Sequence, residues 1–90
     1  MKDFAAAVTE VLRATGPGDV VSYGEVAAEA GFPGAARAVG NLLKDLDTVP
    51  WWRVVTTTGR LAPGHEREQG ERLRSEGVRV VAGRVARFDP

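Results

Sequence analysis

Ninety residues with twelve basic and twelve acidic side chains, 43% hydrophobic overall, have the composition of one soluble globular domain over residues 1–90 and not of a disordered chain. The absence of cysteine excludes disulfides, thiolate metal sites and a thiol nucleophile, and a lone histidine, His65, leaves little with which to build a metal centre or a Ser-His relay. The formal net charge is zero, but residues 1–52 hold four basic against seven acidic side chains and residues 53–90 hold eight against five, so an anionic partner is expected at a local patch.

A domain of this size buries only about 60% of its unfolded surface, which leaves much of it free for binding. No apolar run approaches the roughly 20 residues of a membrane span. The start, Met1-Lys2-Asp3-Phe4, has no signal-peptide core, and a cytoplasmic protein is expected.

Phe4, Ala7, Val8, Val11 and Leu12 recur at i, i+3, i+4, i+7 and i+8, which predicts an amphipathic helix over Asp3–Thr15. Gly16-Pro17-Gly18-Asp19 ends it in a turn, and Val20-Val21 suit a short extended piece. Ser22-Tyr23-Gly24-Glu25 fits a capping box: the Ser22 hydroxyl accepts from the Glu25 amide while the Glu25 carboxylate reaches back to Ser22. The helix it opens runs through Val26 and Ala27 to Ala30. Gly31-Phe32-Pro33-Gly34 closes that helix, with Pro33 expected as the first residue of a third helix reaching Asp45. Val39, Leu42, Leu43 and Leu46 form the third helix's core stripe, while Arg37, Asn41 and Lys44 occupy its other face. Two short helices joined by a tight Gly/Pro turn make a helix-turn-helix.

Val54–Thr58 is β-branched throughout and reads as a strand ended by Gly59, followed by a loop over Arg60–Gly64. Glu66–Ser75 reads as a charged helix stopped at Gly77. Val78–Val81 and Arg84–Phe88, around Ala82-Gly83, suit a small hairpin. The expected fold is an α/β, winged-helix-like helix-turn-helix domain with that hairpin.

Three pieces stand in order: Ser22-Tyr23-Gly24-Glu25-Val26-Ala27, Ala35-Ala36-Arg37-Ala38-Val39-Gly40 and Pro50-Trp51-Trp52-Arg53-Val54-Val55; Leu73-Arg74-Ser75-Glu76-Gly77 follows. Over residues 4 to 80 this order resembles the C-terminal, DNA-binding domain of the O6-alkylguanine-DNA alkyltransferases. The enzymes of that family carry Pro-Cys-His-Arg-Val at the third piece, and their cysteine takes the alkyl group. Here Trp51 stands at the cysteine position and Trp52 at the histidine position. An indole is not a usable nucleophile at neutral pH, so alkyl transfer is not expected. The pattern is nearer to the alkyltransferase-like proteins, which put tryptophan at the cysteine position, although most read Pro-Trp-His-Arg.

The resemblance implies a non-enzymatic, cofactor-free damage sensor. It implies that the helix-turn-helix docks in the minor groove of duplex DNA and flips an O6-alkylguanine, which nucleotide-excision repair then receives. Arg37 matches the arginine that replaces the extruded nucleotide. Tyr23 matches the tyrosine that pushes the 3′ phosphate. Ala35, Ala36 and Gly40 are small enough for close backbone approach to the groove, Asn41 and Lys44 are solvated face or phosphate contacts, and Thr56 and Thr57 are strand formers or hydroxyl donors to phosphate. Tyr23, Trp51, Trp52, Arg53 and Val54 make up the implied lesion pocket, with the loop after Gly59 as its lid. Trp52 either joins that pocket or fills the space behind it, Arg53 is a structural arginine, and Glu76 is a vestigial helix-end residue. His65 and Arg67 fall in the lid. A monomer without metal or membrane association is expected. The rival is a winged-helix regulator without lesion preference, for which Arg37, Asn41 and Lys44 amid Gly and Ala are poor equipment for major-groove reading.

Overall fold

A computed structural model describes residues 3–46, 48–86 and 88. Helix α1, Phe4–Arg13, is capped by Asp3, whose carboxylate accepts from the Ala6 amide at 2.7 Å. It buries Ala7, Val8 and Leu12, the face that the hydrophobic spacing marks. After the turn at 16–19 comes β1, Val21–Ser22, which runs directly into α2, Tyr23–Glu29. The capping box forms as expected: the Glu25 amide donates to Ser22 Oγ at 3.1 Å and the Ser22 amide donates to Glu25 Oε1 at 2.9 Å.

Helix α3 spans Ala36–Leu43 and starts three residues later than expected. Gly34 adopts φ +88°, in the left-handed region that a right-handed helix cannot pass through, so Pro33 stays in the connecting turn and Ala35 becomes the cap. Val39 is buried, and Leu42, Leu43 and Leu46 pack against the same cluster. That cluster joins α1, α2 and α3 through Val8, Leu12, Val26, Ala27 and Val39, and extends to Val49 and Val54.

A single 3-10 turn, Trp51–Arg53, leads into β2, Val54–Val55. The strand is shorter than Val54–Thr58 because Thr56 begins a turn, with the Gly59 amide donating to the Thr56 carbonyl at 2.9 Å. Gly59 has φ +84°, and a Cβ there would lie 3.1 Å from both Phe88 Cβ and the Val85 carbonyl oxygen, so glycine is required. β2 pairs in parallel with β1, Val21 opposite Val54 and Ser22 opposite Val55. This pairing binds the helix-turn-helix to the Pro50–Val55 segment.

Helix α4 is Glu66–Ser75, as the sequence predicts. The hairpin is β3, Val80–Val81, against β4, Arg84–Val85, turned at Ala82 (φ 53°) and Gly83 (φ 76°). Two consecutive positive φ values match the twist of the flanking strands. Arg87, expected within the second strand, lies outside the described residues. Val55, Leu61, Leu73, Val80 and Val85 form a second buried cluster beneath α4 and the hairpin. No helix among the described residues is long and apolar enough to cross a membrane.

Candidate nucleic-acid interface

The helix-turn-helix and the Pro50–Val55 segment meet around one open cleft of about 1020 Å³. Its α2 and α3 wall includes Tyr23, Ala36, Arg37, Gly40, Asn41 and Lys44; Leu43 and Leu46 add apolar surface. Trp51, Thr56 and Thr57 line it too, and the loop before α4 contributes Ala62, Pro63 and His65. Of the residues expected to touch DNA, all but Ala35 therefore line one cleft. Arg37, Asn41 and Lys44 are exposed, and among the described residues the side chains of Arg37 and Lys44 have no hydrogen-bond or ion-pair partner. Two unpaired cations on a wall of small residues leave room and charge for a close anionic backbone.

Tyr23, first residue of α2, is half-buried against the core, and burial raises its phenol above the ordinary value of 10.0. It is a neutral donor at physiological pH. Its ring lies beside Gly40, where an added Cβ would sit 3.7 Å from Tyr23 Cε1.

Trp51 is half-buried and held edge-on by two rings, Trp52 at 6.3 Å and 86° and His65 at 6.0 Å and 68°. The Arg72 guanidinium lies 4.8 Å from the Trp52 ring centroid and 5.9 Å from that of Trp51. Arg72 is itself held by Glu68, one turn earlier on α4, at 3.1 Å. Edge-to-face rings and a facing cation fix a tryptophan's orientation before any ligand arrives.

Trp52, Arg53 and Val54, expected as pocket residues, do not line the cleft. Val54 is fully buried in the first core cluster, where β2 pairs with β1. Arg53 is 7% exposed and points behind the segment: its Nε and Nη2 donate to Glu76 at 3.0 and 2.9 Å, and its Nη1 donates to the carbonyl and hydroxyl oxygens of Thr15, both at 3.0 Å. Trp52 Nε1 donates to Glu76 Oε2 at 2.7 Å, which commits the Trp52 indole to the same rear network. Arg53 is thus the structural arginine expected.

Glu76 is not vestigial. It ends α4, accepts from Trp52 and twice from Arg53, and accepts from the Gly18 amide at 2.9 Å. The Arg53 hydrogen bonds, with those from Gly18 and Trp52, hold its carboxyl down at about 2 against burial. One carboxylate so ties the α1–β1 turn, the 3-10 turn and α4 together.

Gln69 escaped the sequence reading. It is fully buried, and its Nε2 donates to the carbonyls of Trp52 and Val54 at 3.0 and 2.9 Å while its Oε1 accepts from the Ala62 amide at 2.7 Å. It pins the Trp segment to the cleft-side loop. Its position four residues before buried Leu73, on the apolar stripe of an otherwise charged helix, is the signal that marks it. His65 lines the cleft, whereas Arg67 does not and instead pairs with Glu71 at 3.5 Å.

The family model of the 6-O-methylguanine DNA methyltransferase DNA-binding domain matches residues 3–78. A DNA base-flipping protein of Vibrio parahaemolyticus is 35% identical over 92 residues, covering 96% of this chain and 92% of that protein. Atl1 of Schizosaccharomyces pombe, in a crystal structure with damaged DNA containing O6-carboxymethylguanine, superposes with a TM-score of 0.82 at 33% identity, over 90% of this chain and 83% of Atl1. The O6-methylguanine methyltransferase of Mycobacterium tuberculosis gives a TM-score of 0.74 at 34% identity, over 91% of this chain and 53% of the enzyme. The chain belongs to the 6-O-methylguanine DNA methyltransferase DNA-binding-domain family, in its alkyltransferase-like branch.

Proposed function

We propose that this protein is a non-catalytic sensor that binds O6-alkylguanine in duplex DNA, flips the damaged nucleotide and presents it to nucleotide-excision repair. The observation that carries this reading is the shared cleft: Tyr23, Arg37 and Lys44 line it together with Trp51. The relatives with a DNA base-flipping name and the Atl1 complex with damaged DNA support the same reading.

In this mechanism α3 enters the minor groove, where Ala36 and Gly40 permit close approach. The N-terminal end of α3, which begins at Ala36, faces a phosphate. Arg37 fills the space left by the extruded nucleotide, and its guanidinium stacks there. Tyr23 acts on the 3′ phosphate. Asn41, Lys44 and Thr57 contact the sugar-phosphate backbone without reading sequence. Flipping costs a few kcal/mol and least where alkylation has already weakened the pair. Stacking of the flipped base on Trp51 returns roughly 1–3 kcal/mol by analogy with single-strand platforms. No thiol is present among the 90 residues, so the lesion leaves the site unchanged. No cofactor takes part, and the protein works as a cytoplasmic monomer.

The test uses matched duplexes with and without one O6-methylguanine. Arg37→Ala weakens lesion binding about tenfold, ~1.4 kcal/mol. Trp51→Ala lowers the preference for the lesion more than the affinity for plain DNA. Equal losses on both duplexes would make Trp51 a structural residue only. Unchanged lesion and protein mass after long incubation are expected; an alkylated protein or released base would overturn the non-catalytic reading. Dependence of the protein's protection against alkylating agents on excision-repair genes tests the hand-over.

A further inference from the structure

A second cationic site stands outside the cleft, on the outward face of the hairpin. Arg60 and Arg84 face one another across an antiparallel bridge, and Arg84 faces Val81 on its other side. The ladder is regular there: the Val85 amide donates to the Gly59 carbonyl at 2.8 Å and the Leu61 amide donates to the Gly83 carbonyl at 3.0 Å. Val80 and Val85 take the buried face, at 6% exposure each, whereas Val81, Arg84 and Arg60 are all exposed. Arg79, also exposed, precedes β3, and its carbonyl accepts from the Ala86 amide at 2.9 Å.

Among the described residues, the guanidinium groups of Arg60, Arg79 and Arg84 have neither a hydrogen-bond nor an ion-pair partner. The other arginines on this side are engaged: Arg74 donates to the Val80 carbonyl, Arg72 to Glu68 and Arg53 to Glu76. Like charges directly opposite on a sheet are destabilising, because their Cβ atoms are about 5 Å apart. The pair Arg60 and Arg84 is therefore a local cost in the free protein, and an anion laid across both would offset it.

The row is continuous with the cleft. The Arg60 amide donates to Thr56 Oγ1 at 2.9 Å, and the Thr56 amide donates to the Arg60 carbonyl at 3.1 Å. Thr56 and Thr57 line the cleft wall. A duplex seated in the cleft extends past these threonines toward the arginine row, and its anionic strand matches a linear array of unpaired guanidiniums.

We infer that the hairpin face carrying Arg60 and Arg84, with Arg79 beside it, is a second contact for the DNA backbone, holding phosphates that flank the lesion. The inference rests on the proposed function. It assigns affinity to this face and lesion preference to the cleft, since phosphate contacts carry no information about the base.

The test is fluorescence anisotropy with duplexes of about 20 base pairs, with and without one O6-methylguanine, across a salt series. Arg60→Ser with Arg84→Thr is expected to weaken both duplexes alike, with the slope of log affinity against log salt reduced by about 1.8 for two lost phosphate contacts. The paired change to lysine, Arg60→Lys with Arg84→Lys, keeps most of the slope. The melting temperature of the neutral variant does not fall, because a like-charge pair has been removed. Wild-type binding with an unchanged slope in the neutral variant would overturn this inference alone. Loss confined to the lesion duplex would also overturn it, by placing the arginines in lesion reading. Absence of wild-type binding to any duplex would overturn the proposed function itself.

Discussion

Trp51 and Trp52 are adjacent in sequence and separate in role. Trp51 faces the cleft between Trp52 and His65, while Trp52 directs its N–H to Glu76 on the far side of the segment. An indole N–H donates and cannot accept, so Trp52 gives Glu76 a hydrogen bond without offering a proton relay. Restoring the nucleophile alone is therefore insufficient: Trp51→Cys is expected to take no methyl group from O6-methylguanine DNA, as read by mass spectrometry of the protein. Methyl transfer to that variant would show that a thiol in this cleft needs no base. The sequence names Trp51 well because its neighbours form a motif. It does not reveal which way each consecutive residue faces, since a 3-10 turn distributes side chains around its axis and only the partners, Glu76 and Gln69, fix the direction.

The element most dependent on distant partners is the 3-10 turn Trp51–Arg53, three residues long with no side-chain cap. Gln69 of α4 and the Glu76–Arg53 pair hold it, and Arg53 and Glu76 side chains are only 9% and 11% exposed. Removing one partner of such a buried pair costs on the order of 3 kcal/mol. The carboxyl of Glu76 titrates near 2 in the folded protein against an ordinary 4.5. Its depressed value stabilises the fold above the unfolded value, and that contribution fades as pH falls from about 4.5 through about 2. Glu76→Gln is thus expected to melt lower than wild type at pH 7 and to lose less further stability on acidification to pH 2–3, as followed by thermal denaturation. Parallel acid profiles for the two proteins would show that this carboxylate is not the acid-sensitive tie. The helices were legible from periodicity and caps: α4 falls on Glu66–Ser75 as read, and the Ser22/Glu25 box forms. The start of α3 and the end of β2 were not, because Gly34 and the Thr56–Gly59 turn override local propensity through backbone geometry and packing on Phe88.

At the scale of the whole molecule, two buried clusters divide the work. One packs the helix-turn-helix, the other packs α4 with the hairpin, and the parallel β1–β2 pair joins them, with Val54 in the first cluster and Val55 in the second. The fold was legible because ordered motifs carried it. The loop after Gly59 was legible as a cleft element, but the apolar lining that Leu43 and Leu46 give the cleft was not, because the spacing marks them only as core residues. Despite a net charge of zero, Arg37 on α3 and Arg60, Arg79 and Arg84 along the hairpin face have no ion-pair partner among the described residues. Lesion recognition in the aromatic cleft is tested by a fluorescence titration of the two tryptophans with a short duplex carrying one O6-methylguanine, against the same duplex unmodified, at matched salt. Strong quenching with clearly tighter binding to the modified duplex is expected; equal binding and equal quenching with both duplexes would contradict a damage sensor and leave a general winged-helix DNA-binding protein.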